Sequence, residues 1–221
     1  MNFIRKWLFR LAITVVLLTV LLVLPLRWID PPSTAFMLQD RFIHKRSVDH
    51  RPVPEEQISS HLALAVIASE DQKFPHHWGF DHQEIQRAVG DYRQGGRLRG
   101  ASTISQQLAK NLYLWPQQSL VRKGVEAWFT AWLELCLPKR RMLEIYLNIV
   151  EFDEGVYGAE AAAQHYFNHS AMELTPEQAA LLAAVLPAPK HRNAAEPDEF
   201  LQQRQQWILG QMKNLGEGWL P

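Results

Sequence analysis

A chain of 221 residues has room for one folded domain with a sizeable core, but hardly for two enzymatic domains plus an anchor. Lysine plus arginine and aspartate plus glutamate both number 23, so no global charge points to nucleic acid and any electrostatic function must come from local clusters. The single cysteine, Cys136, excludes an intramolecular disulfide and a cysteine-based metal cage.

The amino terminus breaks this balance. Arg5, Lys6 and Arg10 precede an uncharged run from Leu11 to Leu26, closed by Arg27 and Trp28. With Trp7 to Phe9 the apolar stretch reaches about 20 residues, enough to cross a bilayer. A cleaved signal peptide needs a small-x-small site just after the apolar run, and Arg27-Trp28-Ile29-Asp30-Pro31-Pro32 offers none, so residues 1–28 read as an uncleaved anchor. The basic cluster before the span predicts a cytoplasmic amino terminus, with the chain lying outside the inner membrane after the anchor. Residues 29–54, broken by Pro31, Pro32, Pro52 and Pro54 and carrying Arg41, Lys45 and Arg46, read as a connecting stalk; residues 55–221 read as the folded domain.

Ile58, Leu62, Ala65 and Val66 recur at helical spacing, which brings Glu70 to the carboxyl end of a buried helix, where the dipole disfavours an anion. Two readings of Glu70 stand side by side. Flanking Phe74, Trp78 and Phe80 can strip it of water and raise its pKa into the range of a general base, or it sits on an exposed helix end before a turn at Pro75 and Gly79. Asp81 then caps a short helix with Ile85, Ala88, Val89 and Tyr92 on one side, and Gly95, Gly96 and Gly100 mark a mobile loop.

That loop leads into Ser102 to Asn111, where Ile104, Leu108 and Leu112 form an apolar stripe and Thr103, Gln107 and Lys110 a polar one. Ser102 is the expected N-cap, and the helix amino terminus offers N–H groups and positive dipole to an anion such as a phosphate. The alternative is an ordinary amphipathic surface helix, since the Gly-Lys-Ser ending of a Walker motif is absent. Tyr113, Leu114 and Trp115 before Pro116 are large apolar groups suited either to the core or to lipid headgroups.

From Val121 to Leu137, a helix with Val121, Val125, Trp128, Trp132, Leu135 and Cys136 as its buried stripe leaves Arg122 and Glu126 at the margin. In that position the pair is an exposed i, i+4 contact contributing only ~0.3–0.5 kcal/mol, or, beside Phe129 and Leu133, it faces a cleft as a carboxylate and a phosphate-binding guanidinium. Lys123 lies on another face. A helix from Met142 to Ile149 begins after Lys139, Arg140 and Arg141, cations that oppose the dipole and need an anionic partner or water. Ala159 to Phe167 is small enough on one side for close helix approach. Thr175-Pro176-Glu177-Gln178 is a capping box with proline at the first helical position. A last amphipathic helix buries Leu201, Ile208 and Met212, and no convincing strand run occurs, so the domain is expected to be mainly α.

Glu70-Asp71-x-x-Phe74-x-x-His77-x-Gly79, Gly100-x-Ser102-Thr103-Ile104-x-Gln106-Gln107-Leu108-x-Lys110-Asn111 and Arg122-Lys123-x-x-Glu126 together resemble the bacterial peptidoglycan glycosyltransferases. Lys139-x-x-Met142-Leu143-Glu144-x-Tyr146-Leu147-Asn148, with Gly155 and Gly158 after it, looks like a fourth motif of that family, and Glu177 to Pro189 a fifth. With an anchor before it and no Ser-x-x-Lys of a transpeptidase after it, the chain is similar to the monofunctional members rather than to two-domain penicillin-binding proteins.

The resemblance implies a lysozyme-like α-helical domain that polymerises lipid II into β-1,4 glycan strands with inversion and release of undecaprenyl diphosphate. It implies Glu70 as the base on the acceptor 4-hydroxyl and Glu126 as the second catalytic carboxylate, near the donor diphosphate. Asp71, Phe74 and His77 would support Glu70, while Ser102, Thr103, Gln107, Lys110 and Arg122 would contact the donor. No essential cofactor and no protein metal site are implied, with Mg²⁺ or Mn²⁺ as an optional companion of the diphosphate. Partners would be lipid II, the growing strand, membrane lipids and other cell-wall synthesis or division proteins, with the domain periplasmic on the cell inner membrane. Two departures stand out: Ala101 replaces a usual glycine, and Lys190-His191-Arg192 a tyrosine-containing tail. The competing readings are a muramidase on a similar fold, an idle membrane-tethered scaffold, and a metal site at His76, His77 and His82.

Overall fold

The computed structural model describes residues 2–93, 102–216 and 218, leaving aside the side chains of Asn2, Ala88, Val89 and residues 91–93. The expected glycine loop with Gly95, Gly96 and Gly100, and Ala101 after it, lies outside the described residues. In chain order the helices are α1 (Asn2–Val23), α2 (Ala35–Phe42), α3 (Ser60–Glu70), α4 (His82–Arg93), α5 (Ile104–Tyr113), α6 (Leu120–Cys136), α7 (Lys139–Ile149), α8 (Ala159–Phe167), α9 (Pro176–Val185) and α10 (Glu199–Leu215). The expectation of a mainly helical domain behind an apolar amino-terminal helix is met.

Helix α1 continues through a 3-10 turn at Leu24–Arg27, and among the described residues it is the one long and apolar enough to cross a membrane. Its inner end docks on the domain. Trp128 Nε1 donates to Thr19 Oγ1 at 3.0 Å, Tyr113 OH to the Leu22 carbonyl at 3.1 Å, and Arg27 Nη1 to the Cys136 carbonyl at 3.0 Å. The last contact sets a cation against the carboxyl end of α6, where the dipole favours one. Tyr113 also stacks on Phe129 at 4.3 Å and Leu114 is buried, which leaves Trp115 as the exposed member of that aromatic run.

The stalk is folded. Thr34 caps α2, and Asp40 is buried beneath it, accepting from Tyr157 OH at 2.6 Å and from Arg46 Nη1 at 3.0 Å. Burial works to raise the Asp40 pKa, but the tyrosine hydroxyl, Arg46 and Lys190 outweigh it and hold the carboxyl below its ordinary value. Residues 49–50 add a strand, β1 (Asp49–His50), beside β3 (Val156–Tyr157), which pairs in turn with β2 (Glu151–Asp153). The order is β1-β3-β2, parallel then antiparallel. Strands of two or three residues are too short to show alternation, so the sequence carried no sign of this sheet.

The core forms where α3 meets α9 and α10, and where α5 lies against α6 and α7. Alanines 179, 180, 183 and 184 on α9 are buried, which lets its backbone approach α3 closely. Thr175 caps α9 with the expected Gln178 box, and α10 buries Leu201, Ile208 and Met212 as its periodicity predicts. The cations that open α7 find carboxylates: Lys139 meets Glu134 at 2.6 Å, Arg141 meets Asp30 at 2.7 Å and Glu144 at 2.8 Å, and Arg140 pairs with Glu55.

The expected buried stripe of α6 is wrong in part: Trp132 and Cys136 pack against the core, but its other members do not. Val121 is 73% exposed and Leu135 68%, while Arg122, Glu126, Thr130 and Leu133 face the core. The reason is that Arg122 and Glu126 neutralise one another and can be buried as a pair, whereas the apolar stripe turns toward α1 and continues the surface of the span. Together with Leu120 and Trp128 it forms an exposed apolar face.

Gly158 holds φ +89° between β3 and α8, and a Cβ there would collide with the Asn148 carbonyl. Gly158→Ala is expected to lower stability by roughly 1–3 kcal/mol, from the left-handed strain alone before the collision is counted. Gly124, mid-helix on α6 with open space around it, is the contrast: Gly124→Ala is expected to gain about 0.5–1 kcal/mol. Chemical denaturation of the two variants beside the parent checks both signs.

Candidate active site

Glu70 is the last residue of α3, and Gln107 on α5 reaches across to it, Nε2 donating to Glu70 Oε2 at 2.8 Å. Gln107 is itself oriented. Its Oε1 accepts from Tyr146 OH at 2.8 Å, and Tyr146 on α7 is fully buried, so a fixed chain runs Tyr146 to Gln107 to Glu70. Burial raises the Glu70 pKa; the Gln107 bond and the charges of Arg204 and Lys110 oppose the rise, and Asp71 adds to it. Trp78, one of the aromatics expected to shield Glu70, is 77% exposed. Phe74, another of them, is fully buried.

Asp71 binds two elements at once, accepting from His77 Nε2 at 2.9 Å and from the Ile104 amide at 3.0 Å. One of the free N–H groups at the start of α5 is therefore met by the protein's own carboxylate. The N-cap is Thr103, not Ser102. Thr103 Oγ1 accepts from the Gln106 amide at 3.2 Å, Gln106 Oε1 accepts from the Thr103 amide at 3.1 Å, and the Thr103 hydroxyl donates to the Gly79 carbonyl at 2.7 Å. Gly79 is held at φ +77°, and a Cβ there would sit 2.7 Å from Thr130 Cγ2, so only glycine passes the chain between Thr103 and α6. Phe74 is fully buried, with Lys139 Nζ 4.5 Å from its ring centroid. Asp71, Phe74, His77 and Thr103 thus hold the frame around Glu70.

A second cluster gathers on α6. Glu126 is 3% exposed; Arg122 Nη1 approaches its Oε2 to 2.7 Å, and Lys123 Nζ bonds its Oε1. Lys123 is no bystander, since the same ammonium lies 3.4 Å from Ser102 Oγ. The margin reading of Arg122 and Glu126 gives way to a buried pair because α6 is rotated from the face its apolar residues suggest. Lys110 joins the two clusters: burial lowers its pKa, while the Glu126 charge raises it against Arg122, and Glu70 raises it against Lys123. Arg122 Nε is buried without a protein partner.

Two cavities flank Glu70 and Gln107. One of about 560 Å³ is lined by Glu70, Asp71, Lys73, Ser102, Thr103 and Trp207. The other, about 260 Å³, is lined by Phe36, Gln107, Lys110, Tyr157, Lys190 and His191. Phe36 belongs to α2 and lies 5.5 Å from Lys110 Nζ, so the stalk builds part of the second wall. The three clustered cations, Lys110, Arg122 and Lys123, outnumber the one carboxylate they surround, which suits a ligand with several negative charges. Of the proposed metal trio, His77 is engaged by Asp71 while His76 and His82 are exposed, and no group of three candidate ligands occurs among the described residues. Residues that sequence reasoning left without a role are Tyr146, Glu134 and Arg204. Glu134 takes both Ser105 Oγ and Lys139 Nζ at 2.6 Å, pairings between helices that no local spacing signals.

Residues 38–213 match the model of the transglycosylase family. The chain is 53% identical over 205 residues to the biosynthetic peptidoglycan transglycosylase of Pseudomonas fluorescens, an alignment covering 90% of this chain and 85% of that protein. It is 50% identical over 214 residues to the one of Ectopseudomonas mendocina, covering 95% and 88%, and 49% identical over 212 residues to the one of Stutzerimonas stutzeri, covering 94% and 88%.

A carboxyl whose pKa is raised on folding stabilises the fold below its unfolded value, and that contribution is lost as pH rises through the folded one. Glu70→Gln, which keeps an acceptor for Gln107 and removes the buried charge, is therefore expected to melt at a higher temperature than the parent at mildly alkaline pH. The gap should close below the ordinary glutamate value of 4.5. Melting curves of both proteins at the two pH values check this; an equal or lower melting temperature under alkaline conditions contradicts it.

Proposed function

This chain belongs to the transglycosylase family, and we propose that the cleft around Glu70 joins lipid II units into β-1,4 glycan strands, with Glu70 as base and the cations of α5 and α6 receiving the diphosphate. The observation that carries this reading is the placement of a desolvated carboxylate and a surplus of cations one helical turn apart along α5, at Gln107 and Lys110.

Glu70, its basicity increased by burial, takes the proton of the acceptor 4-hydroxyl as that oxygen bonds to the donor's anomeric carbon from the face opposite the diphosphate. The bond from the anomeric carbon to the diphosphate oxygen breaks, and the electron pair leaves with the diphosphate, so the configuration inverts. That leaving group needs positive charge and not a proton, and Lys110, Arg122 and Lys123 supply it, with Arg122 Nε as an unused donor. Glu126 keeps Arg122 and Lys123 in place. A muramidase expels an alkoxide, which needs a proton, and would have no use for the surplus of cations around Glu126.

Both Glu126 oxygens already face cations, so a divalent ion held by that carboxylate would have to break the Lys123 contact. Glu126 so paired does not fit a resident metal, and a Mg²⁺ or Mn²⁺ ion would be carried by the diphosphate oxygens. The same family reading puts α1 in the inner membrane, with Arg5, Lys6 and Arg10 on the cytoplasmic side and the domain in the periplasm. Leu120, Val121 and Leu135 beside α1 would then rest against the lipid that holds the substrate. Protein partners among cell-wall synthesis or division proteins belong to the same proposal.

Glu70→Gln is expected to reduce polymer formation from labelled lipid II by ~10²-fold or more while the variant still binds it. Lys110→Gln and Arg122→Lys are each expected to lower kcat/KM by about tenfold or more, the size of a lost charge-assisted contact. Lys213→Gln, on the exposed face of α10, serves as the control for nonspecific charge. Near-parental turnover by folded Glu70→Gln, or equal losses at all three cations, contradicts the assignment.

A further inference from the structure

Helix α10 lies outside every motif that carries the family resemblance, yet it closes a wall of the larger cavity, where Trp207 stands beside Ser69 and Glu70. Arg204, three residues before Trp207, is half-buried. Its Nη2 donates to the Ser69 carbonyl at 3.3 Å, and its guanidinium lies 4.2 Å from the centroid of the Trp207 ring. Ser69 is in the last turn of α3, whose carbonyls have no partner within the helix and form the negative end of its dipole. The contact therefore answers the dipole one residue before Glu70. On either side of it, Gln72 Nε2 donates to Gln211 Oε1 at 3.0 Å and Gln205 Nε2 to the Glu177 carbonyl at 2.8 Å, so α10 grips both the end of α3 and the start of α9.

We infer that Arg204 is a positioning residue for the reaction: it fixes the last turn of α3 through the Ser69 carbonyl and supplies, with Lys110, the positive field in which the Glu70 carboxylate forms. This rests on Glu70 being the base. The groups facing Glu70 are Gln107 and Lys110 from α5, Tyr146 from α7, Asp71 from the turn after α3, and Arg204 from α10, while α9 presents apolar side chains. Arg204 in turn feels burial first, then Glu70 and Arg192. Arg192 is occupied elsewhere, donating from Nη1 to the Ala184 carbonyl at 2.6 Å and lying over Phe200. A cation whose role was to cap the helix would add stability wherever the helix ended. This one is set where the carboxylate must lose and regain a proton, and it lies over the ring of Trp207, which lines the cavity.

The sign follows from the charges. Removing the Arg204 cation makes the ionised form of Glu70 more costly, so the acidic limb of the rate profile moves to higher pH while the plateau above it, where Glu70 is ionised either way, is kept. The experiment is the pH profile of kcat and KM for lipid II polymerisation by the full-length chain in detergent. It compares the parent, Arg204→Gln, Arg204→Lys and Glu70→Gln, with a melting curve for each. Arg204→Gln keeps a donor for the Ser69 carbonyl and loses the charge. Its rate on the acidic limb is expected to fall about three- to tenfold, with KM and the alkaline plateau within about twofold of the parent. Arg204→Lys should keep the limb near the parent's. An Arg204→Gln limb that coincides with the parent's overturns the inference, as does a raised KM with an unmoved limb, which would make Arg204 a substrate contact. A limb that persists unchanged in Glu70→Gln removes Glu70 as the base and the inference with it, and that result is read without reference to Arg204.

Discussion

The hydrogen bond from the Ile104 amide to the Asp71 carboxylate, 3.0 Å long, sets where everything else in the site can lie. Asp71 follows Glu70 directly, so the bond fastens the end of α3 to the beginning of α5. It satisfies an amide that the helix cannot satisfy itself, and the helix dipole favours the anion. Once α5 starts at that point, its periodicity brings Gln107 to Glu70 and Lys110 one turn further, toward α6. His77 holds the other side of Asp71, and the Thr103 hydroxyl ties the Gly79 carbonyl to the same corner. The close approach of Gly79 to Thr130 carries the constraint on to α6, and so to Glu126 and its cations.

The electrostatics of the two clusters beside α5 differ in kind. At Glu70 burial outweighs the opposing cations, so the carboxylate is more basic than usual and held by one oriented amide. At Glu126 two cations face one nearly inaccessible carboxylate, and the cluster is left with net positive charge and a spare Arg122 N–H. Proton removal belongs to the first environment and charge stabilisation to the second, with Lys110 influencing both. The apolar face beside α1 and the buried Arg122–Glu126 pair are carried by the same helix, α6.

Features fixed by short-range rules were legible in the sequence: the long apolar amino-terminal helix, the position of Glu70 at a helix end, the Thr175 capping box, and the buried positions of α10. The readings that failed depended on what lies across a gap. Both Ser102 and Thr103 can cap a helix, and the Gly79 carbonyl, 24 residues away, decides for Thr103. The apolar stripe of α6 misled because helical periodicity gives a face but not its environment, and here that face turns outward while a charged pair is buried. Asp40 was hidden in a proline-broken stalk because its Tyr157 partner lies 117 residues further on. Arg204 sits among glutamines on a half-exposed helix, with no local pattern to mark it.

The central claim is that a base and a cationic diphosphate site, one helical turn apart along α5, make this a cleft that builds glycan bonds and does not cut them. The most direct measurement gives one purified protein two substrates separately: labelled lipid II, with products resolved on a gel, and isolated cell-wall sacculi, with soluble fragments collected. The account predicts long glycan from the first and no release from the second. Release of muropeptides from sacculi without polymer from lipid II would contradict it.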